Sequence, residues 1–187
     1  IIREIDALGG RSGFVSDLSA VQFKMLNRSK GPAMWSPRVQ SDRMLFSSIW
    51  RKELEKQKNL DFCQAVVNDL LFDDNKISGV VSSTGTKFYS ETVILTNGTF
   101  LNGLIHIGEK NYGGGRTGEQ ASFGITKSLE SMGFSSGRMK TGTPPRVDGR
   151  SIDFNIMEVQ PGDKNPQKFT FSNETKPLEK QLDCFLT

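Results

Sequence analysis

The sequence predicts an α/β protein, and three observations carry that prediction. Val93, Ile94 and Leu95 form a short apolar run without alternation, as in a strand buried on both faces of a parallel sheet. Apolar residues at helical spacing recur near Ile1, after Ser36 and after Ser122. "LDFCQAVVNDLLF", "ISGVVS" and "TKFYS" read as further strands, divided by polar turns.

In chain order, Ile1, Ile2, Ile5 and Leu8 have helical spacing, and Gly9-Gly10 closes that helix. Asp17 to Asn27 is a weaker helical candidate through Leu18, Val21, Phe23, Met25 and Leu26. Gly31, Pro32 and Pro37 then break the pattern. Ser36 offers a capping oxygen and Pro37 a residue without an N–H, which predicts a helix start there. That helix carries Phe46, Ile49, Trp50 and Leu54 on one side and ends in an exposed charged tail, "RKELEKQKN". "DDNK" and Thr84-Gly85 are the turns of the β region. The run at Val93 ends in Thr96, Asn97, Gly98 and Thr99, at the carboxyl end of a strand, where open α/β sheets bind ligands. "NYGGGRTGE" reads as a flexible loop. Ser122 lies near the start of a helix bearing Ile125, Leu129 and Met132, with Gly133 to close it. Beyond Arg146 the chain is polar, turn-rich and poor in strands, like the entry to another domain.

The chain has 187 residues, enough for one domain or one and part of another. Hydrophobic residues make up 35%, the range of a water-soluble globular protein, and no apolar run is long enough to span a membrane. "IIREIDALGG" has no initiator Met and no signal-peptide core, and reads as a chain entered partway through an element. Cys63 and Cys184 lie far apart without metal-ligand spacing, so a reducing cytoplasm is the default compartment. The net charge of +3 does not by itself announce nucleic acid.

Cations concentrate in "GRMKTGTPPRVDGRSIDF", where Arg138, Lys140, Arg146 and Arg150 stand around Asp148. Thr143 is pushed to extended geometry by Pro144, and Pro144 and Pro145 hold polyproline values. Lys140 and Arg146 then flank a stiff segment that suits anchoring an anion, or an interdomain linker. The residues alone leave those two readings level. Thr96, Gly98 and Thr99 can line a phosphate or ribose, or simply end a strand. His106, in "LIHIG", reads as a packed core or strand residue and Cys63 as a buried, inert one. Cys184 lacks a cation within two residues to make it a thiolate. No complete catalytic constellation is present.

"REIDALGG", "QFKMLNRSKGPAMWSPRVQSDR", "TVILTNGTFLNGLIHIG" and "GRMKTGTPPRVDGRSIDF" together resemble the GidA/MnmG family, in the same order along nearly the whole chain. That resemblance implies an FAD-dependent enzyme that adds a carboxymethylaminomethyl or aminomethyl group to C5 of the tRNA wobble uridine. It implies NADH and a methylene-folate donor, the GTPase MnmE as partner, a homodimer, and a cytoplasmic location. It implies a doubly wound α/β FAD-binding domain of the glutathione-reductase type, incomplete here, leading into a second, inserted α/β domain. The first would cover 1–146 and the second begin at 147–187. On this reading the chain is an internal fragment, inactive by itself, whose glycine fingerprint and functional cysteines lie outside it; Cys63 and Cys184 match neither of those cysteines.

By position within the resembling segments, Val67 presents its backbone to the FAD adenine and Ser122 contacts FAD near a helix N-terminus. Thr96, Gly98 and Thr99 match the strand end beside the cofactor, while Arg116, Lys140 and Arg146 become candidates for tRNA phosphates. Two alternatives are a folate- and FAD-dependent tRNA uridine methyltransferase of the sister family, and a non-catalytic RNA-binding or docking module.

Overall fold

Schellman closures end two of the helices in the computed structural model, which describes residues 1–142 and 147–186. The first helix, α1 (Ile2–Ala7), stops where the Gly9 and Gly10 N–H groups donate to the Asp6 and Ile5 carbonyls, each at 2.9 Å. Helix α2 (Ser12–Leu18) follows and buries Gly13, Phe14 and Val15. The chain then turns into strand β1 (Ala20–Leu26), which pairs antiparallel with β2 (Ser36–Ser41). The helix expected over Asp17–Asn27 is thus a helix end and a strand. Val21, Phe23 and Met25 alternate as a strand requires, and that period wins over the accidental helical spacing. Pro37 likewise sits in a strand, not at a helix start. The next helix, α3 (Arg43–Glu55), is capped by Asp42, whose carboxylate accepts the Leu45 N–H at 2.8 Å. Phe46 and Trp50 pack edge-to-face on it, 6.4 Å apart.

The middle of the chain forms a meander. Strands β3 (Val67–Asp73), β4 (Lys76–Ser82) and β5 (Lys87–Tyr89) pair antiparallel in that order. The β3–β4 turn is made by Asp74 and Asn75, both at positive φ, as a tight hairpin demands. Residues 60–66, expected to be strand, are not, and Cys63 is exposed because no partner strand covers that stretch. Residues 93–95 also form no strand, and Ile94 is 85% exposed. A doubly buried strand needs a neighbour on its hydrogen-bonding edge, and none of the described residues supplies one. All strand pairs among the described residues are antiparallel.

A two-stranded ribbon follows, β6 (Leu104–Ile107) with β7 (Lys110–Gly113). His106 lies in β6 opposite Asn111, exposed and not in a core. The run Gly113–Gly115 is not simply flexible. A Cβ on Gly115 would lie 2.2 Å from the Phe100 ring, so the glycine permits close packing. Helix α4 (Ile125–Ser131) packs on β3, and both Ile125 and Leu70 are buried. It ends as the sequence predicts, with the Gly133 N–H on Glu130 O at 2.9 Å and the Phe134 N–H on Leu129 O at 3.2 Å. After residue 147 come short 3-10 turns and a last pair, β8 (Glu158–Gln160) with β9 (Cys184–Leu186).

By packing, the chain forms two units, Ile1–Asp61 with Pro145–Thr187, and Phe62–Pro144. In this grouping the first 61 residues pack with the last segment. The reason lies in carboxylates on the early helices. Asp17 accepts the N–H groups of Phe169 at 2.7 Å and Thr170 at 3.0 Å, and the Thr175 hydroxyl at 3.1 Å. Asp6 accepts the Phe171 N–H at 2.7 Å. Phe169 meets Phe23 edge-on at 6.3 Å, and both are buried, which together removes the side chains that drive this unit's collapse from water.

Arg11 completes the unit. Its guanidinium lies 3.7 Å from the Phe14 ring centre and donates to Glu53 and Glu174, each at 3.0 Å. Glu53 is only 9% exposed, so the charged end of α3 is not wholly solvated; Lys56 reaches the other Glu53 oxygen at 2.6 Å.

Candidate functional site

Among the described residues the strand order β3-β4-β5 leaves one side of β3 without a strand partner, and most of the candidate residues lie in the same unit as this sheet. Val67 opens β3. Its carbonyl oxygen accepts the Ser122 hydroxyl at 3.0 Å. The Ser122 backbone is held in turn, donating to Phe100 O at 2.8 Å and accepting the Asn102 N–H at 2.9 Å. This is a parallel bridge between Leu101 and Ser122. Next to it Thr99 donates its hydroxyl to Gly115 O at 2.6 Å. The neighbouring Arg116 pairs with Glu119 at 3.2 Å. Val67, Ser122, Thr99 and Arg116 are therefore links of one hydrogen-bonded chain running from β3 through residues 99–102 to residues 114–119.

Gly98 takes φ 53° in the turn closed by the Phe100 N–H on Asn97 O at 3.0 Å. Thr96 and Thr99 are both exposed. Ser122 does not sit as a helix-N-terminal phosphate ligand would. The α4 cap is Gly124, and the Ser122 hydroxyl turns toward β3 instead. Its hydrogen already serves Val67, so toward a ligand the oxygen is an acceptor. The same holds for Thr99 and Gly115.

Three residues that sequence reasoning missed belong to this patch. Asn68 has a buried side-chain oxygen without a hydrogen-bond partner, which an interior tolerates poorly. Gly124 lies against the Asn68 backbone at φ 109°, where an added Cβ would fall 1.8 Å from the Asn68 backbone carbonyl oxygen. Asn102, at φ 48°, accepts the Arg138 guanidinium on its carbonyl at 3.1 Å. The "LNG" and "SFG" turn signals were readable; the orphaned Asn68 oxygen was not, because it depends on long-range packing.

The cationic candidates have different fates. Lys140, in the second unit, is exposed, two residues beyond the anchored Arg138. Arg146 lies outside the described residues. Arg150, in the first unit, is held by Asp148 through Nε at 3.0 Å and a terminal nitrogen at 2.7 Å. The Arg150 hydrogen bonds hold the Asp148 carboxyl below the ordinary range and raise the guanidinium in return. That pair spends one of the four cations of "GRMKTGTPPRVDGRSIDF" locally. Cys184 donates to Gln40 at 3.0 Å and Gln22 at 3.3 Å, so it faces amides, not a base. Among the described residues no group of His, Cys, Asp and Glu is arranged to hold a metal ion, and no helix is long and apolar enough to cross a membrane.

A family model described as "Glucose inhibited division protein A" matches residues 1–187, and the chain belongs to that family. The tRNA uridine 5-carboxymethylaminomethyl modification enzyme MnmG of Christiangramia forsetii is 63% identical over the whole chain. The enzyme of the same name from Flavobacterium psychrophilum is 62% identical. The chain spans 30% of the length of each of these relatives. A crystal structure of Aquifex aeolicus GidA matches 98% of the chain with a TM-score of 0.89 at 42% identity, over 32% of that protein's length.

Proposed function

From membership of that family we propose that this chain is part of an FAD-dependent enzyme that modifies C5 of the wobble uridine in tRNA. The observation that supports it most is the identity of 63% to a protein named for that modification, without gaps in coverage of this chain. The group added is carboxymethylaminomethyl or aminomethyl, and the GTPase MnmE is the partner. The enzyme is a cytoplasmic homodimer. The methyltransferase alternative is not favoured, since the matching relatives carry the carboxymethylaminomethyl name.

The residues around Val67 fit FAD. A buried Asn68 oxygen without a donor and the adjoining Val67 backbone suit the amino edge of an adenine, which donates hydrogen bonds. Thr96, Gly98, Thr99 and Ser122 would line the remainder. When bound, the flavin supplies reducing equivalents taken from NADH for passing a one-carbon unit from a methylene-folate to uridine C5. The chain's own part is to orient: Ser122 holds the 122–124 turn on β3, and Gly124 lets the α4 entry approach the Asn68 backbone. Arg116, Lys140 and Arg146 would neutralise tRNA phosphates.

All five candidate FAD residues fall in the unit Phe62–Pro144. That unit is assigned to the FAD-binding domain, and the two-part unit to the inserted domain. Within a doubly wound sheet completed by the rest of the enzyme, Val93–Leu95 would be a parallel strand, which accounts for the exposure of Ile94 in this chain. The test is the full-length protein: flavin absorbance after purification, and mass analysis of anticodon nucleosides from cells lacking the gene. Colourless protein, or unaltered wobble uridine in those cells, would refute the reading.

A further inference from the structure

The β1–β2 hairpin carries a charge pattern that the strand-end site does not use. Between Leu18 and Ser41 the sequence has Lys24, Arg28, Lys30 and Arg38 and no carboxylate, in a chain that carries 24 cations and 21 anions in all. Lys24 and Arg38 stand directly opposite each other in the strand register, an arrangement of like charges that a sheet pays for unless an anion lies over it. Among the described residues neither of the two forms an ion pair. Lys24 donates to the Pro161 carbonyl at 3.0 Å and Arg38 to the Gln22 amide oxygen at 3.0 Å. Arg38 also keeps a buried Nε without a partner. Asp163, beside the hairpin, already accepts the Met25 N–H at 3.0 Å and the Arg28 guanidinium at 2.7 Å.

An aromatic platform stands beside these cations. The Trp35 indole N–H donates to the Arg28 carbonyl at 3.3 Å, which fixes the edge of the ring while 49% of the residue stays exposed. The same Arg28 lines an open groove of about 480 Å³ together with Lys24, Asp163 and Lys164. A pinned aromatic face next to a cationic groove is the arrangement that holds single-stranded nucleic acid: bases stack and the backbone follows the charge.

We propose that the β1–β2 hairpin and the adjoining 161–165 groove bind an unpaired RNA segment, with a base stacked on Trp35 and phosphates on Lys24, Lys30, Arg38 and Lys164. This rests on the tRNA reading above and adds to it a surface in the other unit of the chain.

The experiment uses the full-length protein and fluorescently labelled RNAs: a tRNA transcript, its anticodon stem-loop, and a blunt duplex of equal length. Trp35→Ala should weaken stem-loop binding about tenfold, the usual weight of one stacked base, and leave duplex binding unchanged. Trp35→Phe should bind within about threefold of wild type, which shows that a fold defect is not the cause. Lys24→Ala with Lys30→Ala should lower the slope of log affinity against log salt by about one to two. Stem-loop binding untouched by Trp35→Ala, with wild type binding tRNA, overturns this surface alone. Equal losses for duplex and stem-loop overturn it too. Trp35-dependent binding to phosphatidylglycerol vesicles that RNA does not compete away would assign the surface to a membrane instead. Wild-type protein that binds no tRNA overturns the tRNA reading and this surface together.

Discussion

Ser122 gives its hydroxyl hydrogen to the carbonyl oxygen of Val67 at 3.0 Å, joining residues 55 apart in sequence. The bond fastens the turn before α4 to the edge strand β3. Replacing Ser122 with Ala should cost about 1 kcal/mol, the net worth of a partly buried neutral hydrogen bond, read from chemical denaturation. In the full-length enzyme Ser122→Leu should also lower flavin content. Undiminished yellow colour with a normal melt would argue against a cofactor role for this corner.

Gly124 offers a sharper test of the same corner. A Cβ there would lie 1.8 Å from backbone that cannot rotate aside, and φ is 109°. Gly124→Ala should therefore cost about 3 kcal/mol or more. Gly133→Ala meets open space at φ 90° and should cost only about 1 kcal/mol. The ranking of the two denaturation midpoints is the readout; equal losses would mean that the Asn68 contact adds nothing.

Asp17 is the latch on the last segment, with two backbone N–H groups and a hydroxyl on one carboxylate. Asp17→Ala leaves all three donors unpaired and should destabilise the two-part unit by about 3 kcal/mol. Limited proteolysis should then cut first within residues 167–176. Protection of that stretch equal to wild type would show that the Phe169 packing suffices.

The acid side of the stability curve should be set partly by Glu53 and Glu174. Hydrogen bonds from Lys56 and then Arg11 hold Glu53 below the ordinary carboxylate value despite burial, and Arg11 does the same for Glu174. A carboxyl lowered in the folded state stabilises above its unfolded value of about 4.3 and loses that contribution as pH falls through the folded value. Unfolding should set in below about pH 4. Glu53→Gln should be less stable at neutral pH and show a shallower acid decline. An identical pH profile would exclude Glu53 from acid unfolding.

Lys140→Ala in the full-length enzyme should weaken tRNA binding and reduce its salt slope by about one while leaving flavin content intact. Unchanged tRNA affinity in a filter-binding assay would remove Lys140 from the interface.

Much of this was legible where local rules suffice. The Gly9-Gly10 and Gly133 helix ends, the Asp74-Asn75 turn and the β4–β5 hairpin follow from residues within a few positions of each other. Misreadings arose where two periods coincide. Leu18, Val21 and Met25 satisfy a helix, yet Val21, Phe23 and Met25 satisfy a strand, and only the pairing with β2 and the cover of Phe169 decide between them. Ser36-Pro37 offered a cap that the chain ignores in favour of Asp42, six residues on. The site was less legible still. Val67 meets Ser122 through its carbonyl, which leaves no mark on the side chain, and only the family resemblance pointed to the two as site residues. The unpartnered Asn68 side-chain oxygen is a product of burial in the folded chain, which no local pattern announces.

The division of the chain into a middle unit and a unit made from both ends has a consequence for biogenesis. Contacts such as Arg3–Gln167 and Asp17–Thr175 close over 164 and 158 residues, and such distant pairings are slow to form. On the ribosome, the β3–β5 meander is complete before the 147–187 partner of helices α1 and α2 has been made. Phe14, Val15 and Phe23 wait uncovered until the 147–187 segment emerges. Slowing translation after residue 147 should then lower the yield of soluble protein.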